Sequence, residues 1–211
     1  MATSATAGLL ARQLKQMQQA RDLPGISVGL LNSNVFQWEV MLMINDDNKY
    51  YGGMTIFPPL PASNFVLCYT VCSYADFLTH SVHTLIWLLL GGNFTAHLIF
   101  PPTYPLLPPT LTFQTPIPFH PNIYPSGLLC ISILHPPEDD VYGFESASER
   151  WSPVQTPESI LVSVVSLLYS PNDESPANVE AGMLWREEQR SGDREFKRRC
   201  RKGVRESLGE D

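Results

Sequence analysis

Residues 120–135 read HPNIYPSGLLCISILH, a run in which one thiol, Cys130, closes a loop that also carries His120, Pro121, Asn122, Pro125 and Gly127, with His135 shortly beyond it. These residue types suit acyl transfer. A thiolate is a nucleophile toward an acyl carbon. Attack on the carbonyl builds negative charge on oxygen, and a fixed carboxamide is a suitable donor for it, which makes Asn122 the candidate. The prolines restrict the backbone, so thiol and amide stand in fixed relation and the reacting step carries no ordering cost. The same residues leave a second chemistry open, a cysteine hydrolase with His120 or His135 as base, although no glycine-rich elbow or oxyanion nest accompanies the thiol.

The elements that must hold this loop are read from spacing. In GLLARQLKQMQQA, Leu10, Leu14 and Met17 recur at helical intervals and predict an amphipathic N-terminal helix that DLPG ends. NVFQWEVMLMI (34–44) reads as a strand, and so does NFTAHLIF (93–100), where Phe94, Ala96, Leu98 and Phe100 share a face. PPTYPLLPP (101–109) cannot continue a ladder and is a loop, after which TLTFQT (110–115) makes another strand. PPEDDVYGFESASE (136–149) is acidic with proline and glycine, and reads as a surface loop. In TPESILVSVVSLLYS (156–170), Thr156 is placed to cap and Pro157 to open a helix whose body is apolar enough to be buried. Two further helices are expected at 178–189 and 194–208, with RSGD between them stopping one and Asp193 capping the next. Helix, antiparallel strands, long loops and helices give an α+β architecture with helices on one face of a meander sheet.

The chain has 211 residues, enough for one domain with a substantial core, and a formal net charge of -7. That charge disfavours whole-molecule attraction to nucleic acid or anionic lipid, and the basic run KRRCRKGVR (197–205) reads as the solvated face of a terminal helix. The cysteines at 68, 72, 130 and 200 form no secreted framework, and no signal-peptide pattern opens the chain, so a reducing, cytoplasmic setting is expected. Cys68 and Cys72 form a CxxxC pair without a second pair or histidines at finger spacing, so no metal site is expected.

The 120–135 segment resembles the active-site segment of ubiquitin-conjugating enzymes, with the His-Pro-Asn signature at His120, Pro121 and Asn122 and the acceptor cysteine at Cys130. FPPTYPLLPP, RWSPVQT, SPNDESPANVEA and LWRE are similar to other motifs of that family and stand in its order. The acidic stretch after CISILH resembles a subgroup with an acidic loop, most of all the G2 (Ubc7-like) type of endoplasmic-reticulum-associated degradation. The resemblance implies that fold: an N-terminal helix, a four-stranded antiparallel meander and C-terminal helices. It implies that Cys130 carries ubiquitin as a thioester received from an activating enzyme, which is the protein that uses ATP, and passes it to lysine with a RING-type ligase. No cofactor of its own is implied. Asn122 either donates to the oxyanion or braces the loop, and His120 joins the catalytic signature as a hydrogen-bonding residue more than as a base. Glu138, Asp139 and Asp140 of the acidic loop and Ser175 are placed near the cysteine, where polar groups can orient the incoming amine, and His135 can anchor the loop. Leu106, Pro153 and Val154 correspond to the partner-binding loops. Work at the cytosolic face of the endoplasmic reticulum, with a membrane-anchored recruiting protein, is also implied.

The pattern breaks once on a large scale. Gly52-Gly53 and Gly91-Gly92 bracket residues 54–90, an apolar insertion into what is otherwise a single catalytic domain over 1–211. Residues 65–90 are apolar enough to suggest a membrane span. A single span would put the strands at 34–44 and 94–100 on opposite sides of a bilayer although they must pair, and Asp76, His80 and His83 would be costly at depth. An added loop or helix on the domain, a membrane-dipping hairpin and translated intron sequence are the three readings of it. Ser126-Gly127 and Ile44-Asn45 are smaller departures that bear on rate and partner choice. The insertion also keeps open an inactive variant that serves as a binding module for ubiquitin or a ligase.

Overall fold

Leu10, Leu14 and Met17 form the buried side of helix α1 (Ala2–Gln19), which packs on strands β1 (Ile26–Leu31) and β2 (Asn34–Met43). The computed structural model describes residues 2–19, 23, 25–44, 89, 91–136 and 149–210, with side chains from residue 4. Glu138, Asp139, Asp140, Cys68, Cys72 and nearly all of 54–90 lie outside the described residues. Strands β3 (Asn93–Ile99) and β4 (Thr110–Phe113) complete one antiparallel sheet in the order β1-β2-β3-β4. β1 is the strand that the sequence pattern does not announce. It is short, it is interrupted by Gly29, and it is joined to β2 through Asn32 and Ser33, whose φ of 52 and 58 make the tight hairpin turn that asparagine and serine tolerate.

Alternation does the rest. Trp38, Val40 and Leu42 on β2, Phe94, Ala96 and Leu98 on β3, and Leu111 and Phe113 on β4 all point to one face and are buried. Each large side chain so covered contributes about 1.5 to 3 kcal/mol. Helix α2 (Pro157–Tyr169) supplies Ile160, Leu161, Val164, Val165 and Leu168 to that core. Its start is the one its sequence requires: Thr156 accepts from the Ser159 amide, Ser159 returns the bond to the Thr156 amide, and Pro157 opens the first turn.

Helix α3 (Val179–Ser191) is capped by Asn178 and ends at Gly192 in the left-handed region, with φ 72. Helix α4 (Glu195–Ser207) differs from expectation at its start. Arg194 occupies the cap position and its side chain caps nothing, while Asp193 reaches past it to accept from the Glu195 amide at 3.2 Å. Arg199 of α4 pairs with Glu180 of α3 at 2.8 Å, and Lys197 with the buried carboxylate of Glu188 at 2.6 Å, so the two helices are tied by charge as well as by packing of Trp185 on Phe196.

The second glycine pair, Gly91-Gly92, has a structural meaning. The Gly91 amide donates to the Ile44 carbonyl at 2.7 Å and the Ile44 amide to the Gly92 carbonyl at 3.0 Å, continuing the β2–β3 ladder that runs from Gln37↔Ile99 to Met43↔Asn93. The chain therefore leaves the sheet after Ile44 and rejoins it at Gly91, at one end of a hairpin. Both strands lie on the same side of whatever the intervening residues do. Among the described residues no helix is long and apolar enough to cross a membrane.

Candidate active site

The thiol loop is built by short hydrogen bonds between its own ends. The Cys130 amide donates to the Asn122 carbonyl at 2.9 Å, the Tyr124 amide to Leu128 at 2.9 Å, and the Gly127 amide to Tyr124 at 2.8 Å. The turn sits on β4, where the Phe113 amide donates to the Gly127 carbonyl at 2.8 Å. Gly127 has φ 87, and a Cβ there would strike the Phe113 carbonyl oxygen, so only glycine lets this turn lie so close to the sheet.

Asn122 is 3% exposed and both ends of its carboxamide are engaged. Its Nδ2 donates to the Asn172 carbonyl at 2.7 Å and its Oδ1 accepts from the Asn172 amide at 2.9 Å, binding the thiol loop to the segment that follows α2. A carboxamide nitrogen carries two hydrogens, and this pairing uses one of them. The Asn178 amide, at the cap of α3, donates to the Pro121 carbonyl at 2.8 Å and adds a second tie to the same loop. Asn172 is the participant that sequence reasoning does not find, since its backbone rather than its side chain takes part.

His120 is fully buried. Its Nδ1 accepts from the Asn122 amide at 3.0 Å, so the proton of the neutral ring is on Nε2, which donates to the Leu167 carbonyl of α2 at 3.1 Å. Burial holds its pKa down at about 3, only partly offset by the Leu167 carbonyl, so the ring is neutral near pH 7 with both nitrogens occupied.

Cys130 is half-buried, and its Sγ lies 3.6 Å from Nε2 of His135. The 3-10 turn Ser132–Leu134 folds the chain back to bring the two together. Cys200 provides the contrast: it is fully buried on α4, bonds to the Phe119 carbonyl, and burial pushes its thiol far up. Ser175 is exposed, three residues beyond the Asn172 that Asn122 holds. Among the described residues no cluster of histidine, cysteine and carboxylates could hold a metal ion.

Leu106, Pro153 and Val154 come together from two loops through one tryptophan. The Trp151 indole donates to the Pro105 carbonyl at 2.9 Å, and its ring lies 5.9 Å from that of Tyr104. The Tyr104 hydroxyl donates to Gln13 of α1 at 3.2 Å, and its carbonyl accepts from Thr6 at 3.1 Å. Helix and both loops are thus one rigid unit that leaves Leu106 67% and Val154 83% exposed, with Leu107 beside them at 42%.

The family model for ubiquitin-conjugating enzymes matches residues 88–202. Ubiquitin-conjugating enzyme E2 15 of Schizosaccharomyces pombe is 42% identical over 209 residues, 99% of this chain and 98% of that one. Human ubiquitin-conjugating enzyme E2 G2 is 53% identical over 118 residues, 56% of this chain and 68% of its own. The solved structure of human ubiquitin-conjugating enzyme E2 G1 is 32% identical, with a TM-score of 0.50 over 78% of this chain and 95% of that one. A four-stranded meander between an N-terminal helix and C-terminal helices, a thiol loop braced through Asn122 and these likenesses agree: the chain belongs to the ubiquitin-conjugating enzyme family, among its G2 (Ubc7-like) kind.

Proposed function

We propose that the protein accepts ubiquitin from an activating enzyme as a thioester on Cys130 and transfers it to a lysine with a RING-type ligase. The observation that carries this reading is the pinning of the thiol loop by Asn122, which bonds Cys130 through its backbone and the post-α2 segment through its carboxamide. In charging, the Cys130 sulfur forms a bond to the carbonyl carbon of ubiquitin's last residue as the activating enzyme's sulfur leaves with its electron pair. In discharge the lysine nitrogen attacks that carbon, Cys130 leaves as thiolate, and the amine's proton is released. ATP is consumed by the activating enzyme, and the chain needs no cofactor of its own.

Asn122 directs its remaining N–H at the oxygen that gains charge, while Ser175 and the carboxylates of Glu138, Asp139 and Asp140 orient the lysine. The 1–211 chain acts as a single catalytic domain with an insertion at 54–90. It works in endoplasmic-reticulum-associated degradation at the cytosolic face of that membrane, brought there by a membrane-anchored recruiting protein. Incubation with activating enzyme, ATP and ubiquitin is expected to give an adduct that reductant removes, absent from Cys130→Ala and retained in Cys200→Ala. Absence of any adduct from folded protein would replace this reading with that of a binding module, and net cleavage of ubiquitin esters would replace it with a hydrolase.

Leu106, Pro153 and Val154 form the face that activating enzyme and ligase share. The double variant Leu106→Ala, Val154→Ala is expected to melt within about 0.5 kcal/mol of wild type, because both side chains are exposed. Its ligase-stimulated transfer should fall by about tenfold or more, the loss of an interface anchor. Unchanged stimulation would remove these residues from the interface.

A further inference from the structure

We infer that His135 is the acid–base partner of the Cys130 thiol, taking its proton when the sulfur attacks and returning one when the sulfur leaves. The inference rests on the thioester reading above and adds a residue to it.

Nε2 of His135 stands 3.6 Å from Sγ, within hydrogen-bonding reach for sulfur. The backbone that carries the ring is held on both sides. The His135 amide donates to the Ser132 carbonyl at 2.9 Å, and the His135 carbonyl accepts from the Trp151 amide at 3.0 Å, so the residue is clamped between the 3-10 turn and the segment that carries Trp151. The turn between thiol and imidazole, Ser132–Leu134, contains no titratable group. The segment bonded to His135 brings Glu149, which is exposed, and Arg150. His120 is not an alternative partner, since both of its nitrogens are bound.

The balance of the two half-reactions follows from this geometry. In charging, the thiol proton passes to Nε2, the thiolate forms its bond to the carbonyl carbon, and the imidazolium gives the proton to the departing sulfur of the activating enzyme or to water. In discharge, the proton lost by the lysine reaches the imidazole and then the leaving Cys130 thiolate, which restores the thiol. No oxidant, reductant or additional reactant is needed. An imidazole nitrogen can accept a proton and donate it again, so the ring can serve in either direction.

The test uses the full chain and no ubiquitin. Alkylation of Cys130 by iodoacetamide, followed by mass spectrometry of the peptide that contains it, is measured from pH 5 to 9 for wild type and His135→Gln. Wild type should react about tenfold faster than the glutamine variant at pH 7, since the glutamine keeps a hydrogen-bonding side chain that cannot take the thiol proton, and the two rates should converge at pH 9, where the thiol ionises unaided. Superimposable alkylation profiles would overturn the inference and leave the thioester reading intact. The expected difference in alkylation with no ubiquitin adduct would overturn the thioester reading and leave the Cys130–His135 pair standing.

Discussion

Asn122→Ala is expected to slow transfer from charged Cys130 to lysine by about 100- to 1000-fold, the effect of removing one donor from a developing oxyanion. The expectation needs separating from the side chain's other work. Asn122 also joins the thiol loop to Asn172 through two hydrogen bonds, at 2.7 and 2.9 Å, and their loss from a buried residue costs about 1 to 3 kcal/mol of stability. A weakened loop alone would disturb the position of the thiol and so lower charging and discharge together. An oxyanion donor should show in the single-turnover discharge rate at saturating amine, measured on protein already charged and still melting cooperatively. A fall of less than about threefold in that rate, with the stability loss present, would make Asn122 a brace only. Asn122→Asp is the complementary variant: it keeps the size and one acceptor but sets a carboxylate oxygen against the Asn172 carbonyl, so it should lose stability as well as rate.

How much of this was legible in the sequence depends on the kind of contact. Side-chain periodicity was legible: Leu10, Leu14 and Met17 on α1, Phe94, Ala96 and Leu98 on β3, and Phe100 just past its end are all buried as their spacing requires. Capping was legible at Thr156-Pro157, because the hydroxyl and the ring act within one turn of chain. Contacts made by backbone were not. The Asn122–Asn172 bridge spans fifty residues and uses an amide and a carbonyl that every residue but proline possesses, so no residue type marks the partner. The union of the loops that carry Leu106 and Val154 by the Trp151 indole is hidden for the same reason, its acceptor being the Pro105 carbonyl. β1 escaped notice because six residues interrupted by Gly29 carry too little alternation, and its place is secured by pairing with β2 rather than by its own pattern. His135 illustrates a third case. The sequence offers it as an anchor for the acidic loop or as a base for Cys130, the turn at Ser132–Leu134 brings its ring to the thiol, and a turn of that type is set by local hydrogen bonds that composition does not reveal.

The buried histidine of the signature makes the fold sensitive to mild acid. His120 has a folded pKa of about 3 against 6.5 for an ordinary histidine, chiefly because burial opposes its charged form. Between those values the unfolded chain binds a proton that the native chain does not, so its contribution is fully present above about pH 6.5 and is lost as pH falls toward 3. One pKa unit corresponds to about 1.4 kcal/mol, which gives a loss of about 2 kcal/mol between pH 7 and 5. Protonation would also displace the Asn122 amide from Nδ1, so the same acidification loosens the loop that carries the thiol. Glu195, half-buried between Arg198 and Arg199, has its pKa lowered to about 2 by their hydrogen bonds, so it stays ionised in the folded state throughout the pH 5 to 7 range in which His120 acts. Urea unfolding of wild type at pH 7 and at pH 5 should therefore show the drop, and His120→Asn, whatever its absolute stability, should show less than half of it. Equal pH dependence in the two proteins would mean that the imidazole accepts a proton in the folded state at ordinary pH, and its bonds to Leu167 and Asn122 would then have to be rearranged.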